Sequence, residues 1–219
     1  MRPSRVSLLL GTLAAGALSA QEPPALLQIT VETIKPGSEA QYGAIEERLA
    51  EMCARRGCPN DYLALESTTS PTQVWWFTMY ATQADIARIA LAYQRDADLL
   101  HELRELSTLK SALTDVPVNH IAARQPELGD SSPWRIGELQ FAAVAVTPAR
   151  HVPGPRIGTV FDEPEGSSRF TVIGAATRAE AEAAAASLGA DALIFEVRPS
   201  WSKPANAWVA ANPELWARR

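Results

Sequence analysis

The chain has 219 residues, with 20 Lys and Arg against 25 Asp and Glu, for a formal charge of −5. That length allows one or two domains and a sizeable core. A mildly acidic chain without clusters of Lys or Arg lacks the electrostatic footprint expected for nucleic acid or an anionic membrane surface.

The first residues read as a targeting segment. Arg2 and Arg5 precede an apolar run from Val6 to Leu18, and Ala15-Gly16-Ala17 and Leu18-Ser19-Ala20 offer small residues before a cut. The run is too short to span a bilayer, so residues 1–20 are expected to be a removed secretory signal peptide. No Cys follows the run to carry a lipid anchor. Loss of the two arginines moves the charge from −5 to −7. The mature protein is therefore expected to be secreted or periplasmic, with no membrane attachment.

Leu26 to Ile34 alternates and is rich in β-branched residues, which predicts a strand. Pro36-Gly37 ends it, and Ser38 is placed to cap a helix. Tyr42, Ile45, Leu49, Met52 and Cys53 recur at helical spacing, with Glu46, Glu47, Arg48 and Glu51 assigned to the opposite face. Gly57 suits the left-handed position after the helix, which brings Cys53 and Cys58 together in a Schellman cap. These are the only two cysteines. An oxidising compartment opens this contact to a disulfide; a redox pair or half a metal site is the competing reading, without Cys-x-x-Cys spacing or a neighbouring His.

Tyr62 to Ser67 and Val74 to Tyr80 predict two more strands. The latter is apolar on both alternating sets, as for a strand covered on both faces. Thr82 and Asp85 form a capping-box pattern. A helical stripe then runs from Ile86 through Leu100 to Leu113, with a bend allowed. Pro117 stops it, and Val118 to Ala123 makes the fourth strand. The order is βαββαβ, a ferredoxin-like unit.

A strand, then Lys35-Pro36-Gly37-Ser38-Glu39 and Tyr42 opening an amphipathic helix, resembles the dimeric α–β barrel superfamily over residues 26–124. Its members include antibiotic-biosynthesis-monooxygenase-like and NIPSNAP-like domains. The resemblance implies that two such sheets close into one barrel, between chains or between fused halves. Haem-degrading members use an Asn, a Trp and a His. Trp75, Trp76 and His101 supply two of those types, but the first strand has no Asn.

A fainter copy of the first strand runs from Leu139-Gln140 to Pro148. It pairs Leu27-Gln28 with Leu139-Gln140 at an offset of 112 residues, whereas Ala81-Thr82 matches Ala176-Thr177 at 95. The difference of 17 is about one lost helix, and the prolines of His151-Val-Pro-Gly-Pro-Arg156 forbid most of it. Arg169 to Gly174, Arg178 to Leu188 and Ala192 to Arg198 predict strand, helix and closing strand. Ala192 to Trp201 also resembles the closing strand of YCII-related domains. The expected fold is α+β: two ferredoxin-like halves, the second degenerate with its first helix lost, in a dimeric-α–β-barrel-like unit. The divisions are 21–128 and 134–200 for the halves, joined by a hinge at Asp130-Ser-Ser-Pro133, and 201–219 for a Trp-rich extension. A monomer of fused halves and a homodimer both fit.

Gln28 and Gln140, at one place in the proposed repeat, are expected to share a compartment. If that is the barrel interior, a ligand can partner the two amides; facing solvent or each other is the alternative. His120, at the centre of the fourth strand, is a candidate for the barrel lining. Trp201, Lys203 and Trp208 either close a barrel mouth or plug it. His101 reads as a partly buried structural residue. Asp162, Glu163 and Glu165 read as a solvated acidic turn. His101, His120 and His151 lack metal-ligand spacing, and no Gly-rich phosphate loop or Gly-x-Ser-x-Gly elbow occurs. No metal or cofactor is expected. The leading expectation is a binder of a small apolar or aromatic molecule, contacted by Gln28, Trp76, His120, Gln140 and Trp201. The alternatives are a cofactor-independent monooxygenase-like enzyme on an aromatic or quinol-like substrate, oriented by Trp76, His120 or Gln28, and an interaction protein with a packed barrel.

Overall fold

The computed structural model describes residues 22–130, 134–149, 157–164 and 166–217. The signal segment, most of the hinge, His151 and Glu165 lie outside them. The first half runs β1 (Leu26–Thr33), α1 (Glu39–Arg56), β2 (Leu63–Ser67), β3 (Gln73–Tyr80), α2 (Gln83–Arg95), α3 (Ala97–Ser111) and β4 (Val118–Arg124). The second runs β5 (Phe141–Thr147), β6 (Thr159–Asp162), β7 (Arg169–Ala175), α4 (Arg178–Leu188) and β8 (Leu193–Val197). A 3-10 turn (Pro199–Trp201), α5 (Asn206–Ala211) and α6 (Pro213–Trp216) follow.

Local chemistry sets the ends of these elements. Thr82 accepts from the Asp85 amide while Asp85 accepts from the Thr82 amide, so the capping box forms with Asp in the Glu position. Asp96 both ends α2 and caps α3 through the Leu99 amide, which is where the long stripe breaks. Ser38 precedes α1 but makes no side-chain cap bond. At the other end Gly57 is left-handed, at φ 71°, and the Cys58 amide donates to the Cys53 carbonyl as in a Schellman cap. Cys53 and Cys58 are disulfide-bonded and nearly inaccessible. Replacing Cys58 with Ser is expected to cost about 2 kcal/mol, from the short closed loop and a buried hydroxyl; urea unfolding of the oxidised wild type against the variant measures it.

The strands close a barrel in the order β1-β3-β2-β8-β5-β7-β6-β4, every neighbour antiparallel. Inward side chains alternate with outward ones along each strand. Leu27 and Ile29 on β1, Leu63 and Leu65 on β2, Phe77 on β3, Phe161 on β6 and Phe195 on β8 are fully buried in one cluster. Trp75 meets Phe195 at 4.9 Å and Phe170 at 6.3 Å. The barrel is thus filled by aromatic rings, as eight-stranded barrels of this width allow. The expected enclosed space for polar amides is corrected: the interior is a packed core.

Register also corrects the internal repeat. Leu26 pairs with Tyr80 and Phe141 with Ala175, and the helix caps Thr82 and Thr177 each lie two residues further on. Leu26 therefore corresponds to Phe141, an offset of 115 rather than 112. The second half has lost 20 residues, not 17. Because 112 and 115 differ by an odd number, the Leu-Gln match inverts inside and outside. Gln28 corresponds to Ala143, and the Gln28–Gln140 match is a coincidence of sequence.

The C-terminal extension seals the barrel core. Trp208 and Trp216 stack at 6.1 Å, and both join the barrel cluster with Leu215. The Trp216 indole donates to the Gly137 carbonyl, and the Asn212 amide to the Glu138 carbonyl. Gly137 is left-handed, and a β-carbon there would sit 2.5 Å from the Trp208 ring.

Candidate functional site

The expected ligand contacts do not form one site. Gln28 points outward and accepts from the Tyr80 hydroxyl at 2.8 Å. Gln140 lies just before β5 and donates to Glu196 at 3.2 Å. Trp76 is on the outer face of β3, and Trp201 packs edge-on against Tyr42 beneath α1, away from the barrel core. A β-carbon at Gly43 would touch the Trp201 ring at 3.0 Å, which explains the glycine there. His120 does face inward, but Phe170 covers it at 5.0 Å and its Nδ1 lies 2.8 Å from Glu163. Glu163 is consequently no free acidic turn. Burial pushes its carboxyl up, but bonds with Ser167 and His120 outweigh that and leave it below the usual range. Asp162 is held by Arg169. His101 is exposed, 3.5 Å from Glu105, rather than partly buried.

A different group of side chains converges between the sheet and the helices. Glu32 on β1 points outward into this layer, and α1 supplies Tyr42 and Glu46 one turn apart. Lys110 comes from the last turn of α3 and Trp76 from β3. Glu32 is 4 % exposed and Glu46 2 %, although Glu46 was assigned to the solvent face of α1. The Tyr42 hydroxyl donates to Glu32 Oε2 at 2.5 Å, and the Trp76 indole donates to the same oxygen at 3.2 Å. Lys110 Nζ bridges the carboxylates, 2.8 Å from Glu32 Oε1 and 3.0 Å from Glu46 Oε1. The second contact is an ion pair without hydrogen-bond alignment, since that oxygen has no bond of acceptable geometry. The ammonium also lies 5.3 Å from the Trp76 ring centre.

This cluster holds two carboxylates and one ammonium. Burial pushes the Glu46 carboxyl up to about 7, with Lys110 opposing and Glu32 adding to the rise. Burial alone would lower Lys110, but the two carboxylates outweigh it and hold its ammonium above the ordinary value. Burial and the facing carboxylates push the Tyr42 phenol up, so it stays a donor. The group is neutral with Glu46 protonated and carries one excess negative charge without that proton. Near neutrality it can take up or release one proton at Glu46.

The same shift predicts a pH dependence of stability. Below about 4.5, the ordinary value, folded and unfolded chains both hold the Glu46 proton. As pH rises the unfolded chain releases it first, so this contribution is lost by about pH 7. The loss is on the order of 3 kcal/mol. Urea midpoints from pH 4.5 to 8 are expected to fall, and Glu46→Gln to flatten the slope.

A cleft of about 680 Å³ opens onto Glu32 and Lys110. Its walls include Thr30, Ser107, Thr114, Val116 and Asn119. Thr30 lies opposite both Trp76 and Asn119 in the strand register, and its hydroxyl donates to the side-chain Oδ1 of Asn119 at 2.6 Å. Val116 is 89 % exposed at the lip. Sequence reading missed this site because Glu32 and Glu46 look like ordinary surface acids. The available signal was the four-residue spacing of Tyr42 and Glu46, which puts both on the buried side of α1.

The topology decides the architecture. Each half orders its strands fourth-first-third-second, and the second strand of each half pairs with the fourth of the other, as β2 with β8 and β6 with β4. A single chain closes a dimeric α–β barrel. Among solved structures this barrel is similar to an anthrone oxidase-like protein, at 12 % identity over 79 % of this chain and 91 % of that one, with a TM-score of 0.49. It is also similar to a candidate monooxygenase from Lactobacillus acidophilus NCFM, at 7 % identity over 80 % and 94 %, with a TM-score of 0.49. A chlorite dismutase from Candidatus Nitrospira defluvii matches at 6 % identity over 86 % and 95 %, with a TM-score of 0.45. No protein-family model matches the chain, and no curated protein matches it in sequence. At these identities no residue role transfers from those proteins. Among the described residues no helix is long and apolar enough to cross a membrane.

Proposed function

We propose that this protein binds a small hydroxylated aromatic molecule in the outer cleft, its hydroxyl on the Glu32–Lys110 pair and its apolar body against Val116 and Pro117. The observation that carries this reading is a buried ion pair forming the floor of an open cleft. Lys110 lines the cleft while its ammonium stays within ion-pair distance of both carboxylates, and with three N–H donors it can also offer one to a ligand oxygen. Secretion or periplasmic residence belongs to the same proposal, supported by the leader pattern and the Cys53–Cys58 disulfide.

Isothermal titration with 2-naphthol tests the reading. Naphthol is expected to bind at least tenfold more tightly than 2-methylnaphthalene, and Asn119→Ala, at the exposed mouth, to weaken it severalfold. Equal affinities for the two compounds, or no effect of Asn119→Ala, would refute it. The poise of Glu46 near neutrality favours a second reading, in which the cluster accepts a quinol or phenol proton ahead of oxidation by dioxygen. Oxygen uptake with menadiol above its spontaneous rate, and its loss in Glu46→Gln, distinguishes an enzyme from a binder.

A further inference from the structure

The loss of a helix from the second half leaves a place in the fold to be filled. In the first half α1 covers β2 and β3, where Tyr42, Ile45 and Leu49 pack with Ala64 and Val74. The matching strands are β6 and β7, and among the described residues no helix lies between β5 and β6 to cover them. A cleft of about 610 Å³ opens there instead, between α4, the start of β6, β7 and residues 134–139. Ile136, Leu139, Ile157, Ile173 and Ala184 give it apolar walls.

Trp134 forms part of the same wall. It is 2 % exposed, and its indole N–H has no hydrogen-bond partner. Buried donors without partners are rare in folded proteins because each has given up water for nothing. The charged groups around the cleft are already engaged. Asp130 accepts from the Gly158 amide at 3.0 Å, Arg135 pairs with Glu138 at 3.2 Å, and Glu180 accepts from the Ala176 amide at 2.8 Å. The walls thus offer apolar surface and a buried indole N–H without a partner.

We infer that this cleft is a second binding site, for an apolar molecule carrying a single acceptor such as a ketone or ester carbonyl, with that oxygen on the Trp134 indole. The site lies on the second half and uses none of the residues of the Glu32–Lys110 cleft, so either proposal can fail without the other.

Indole N–H resonances of the ¹⁵N-labelled full chain, titrated with 2-acetonaphthone and with naphthalene, test this. The Trp134 signal is assigned from Trp134→Phe or, should that variant not fold, from its nuclear Overhauser contacts to Phe161, which it meets edge-on at 5.7 Å. The ketone is expected to move the Trp134 signal and to bind about tenfold more tightly than naphthalene, the worth of one buried hydrogen bond. Ala184→Phe, which fills the cleft, should weaken the ketone at least tenfold, while Asn119→Ala leaves it unchanged. A stationary Trp134 signal, equal binding of the two probes, wild-type binding by Ala184→Phe, or loss of binding in Asn119→Ala would each overturn the inference.

Discussion

Lys110→Met is expected to destabilise the protein by about 3–5 kcal/mol at pH 8. The substitution keeps most of the side-chain volume but removes the only cation within ion-pair distance of both Glu32 and Glu46 among the described residues. Two buried carboxylates would then face each other without compensation, and both would have to take up protons to remain inside. The deficit should shrink as pH falls towards 4.5, because protonated carboxyls no longer repel. Adding Glu32→Gln and Glu46→Met should recover much of the loss, since an apolar or neutral replacement of a whole buried ion cluster is often tolerated where breaking it is not. Urea unfolding at pH 5 and pH 8 separates these cases. A pH-independent deficit would show that Lys110 matters only through packing.

Trp208→Ala should cost a comparable 3–5 kcal/mol. The residue is 2 % exposed, stacks on Trp216 and shares a cluster with Ile136, Val197 and Leu215. Its removal leaves a cavity next to Gly137, whose left-handed backbone and missing β-carbon make room for the ring. The extension is thus part of the barrel core, and a chain ending before Asn206 should unfold at markedly lower urea than the full chain. An unchanged midpoint for Trp208→Ala would mean that the extension only rests on the barrel.

The periodicity of single elements was legible, and their register was not. The strand ending at Pro36-Gly37, the Thr82–Asp85 box, the left-handed Gly57 and the Cys53–Cys58 contact each follow from chemistry within a few residues. The repeat was visible through Thr82 and Thr177 because a helix cap has a fixed sequence need. The Leu-Gln match had no such need behind it, and a three-residue error matched Gln28 to Gln140 where the register matches it to Ala143. β6 was implied by the repeat but not located, because Thr159-Val-Phe-Asp162 is four residues long, too short for alternation to register. The site was hidden for another reason. Glu46 looks solvated on a helical wheel, and only the approach of Lys110 from α3, 64 residues away, makes its burial tolerable.

The decisive measurement is the position of bound 2-naphthol, read from intermolecular nuclear Overhauser contacts to assigned methyl groups and amides. The outer-cleft reading predicts contacts to Val116, Thr30 and Asn119, with the Lys110 ammonium perturbed. Contacts to Leu27, Ile29 or Val144 inside the barrel, or to no defined set of residues, would contradict it.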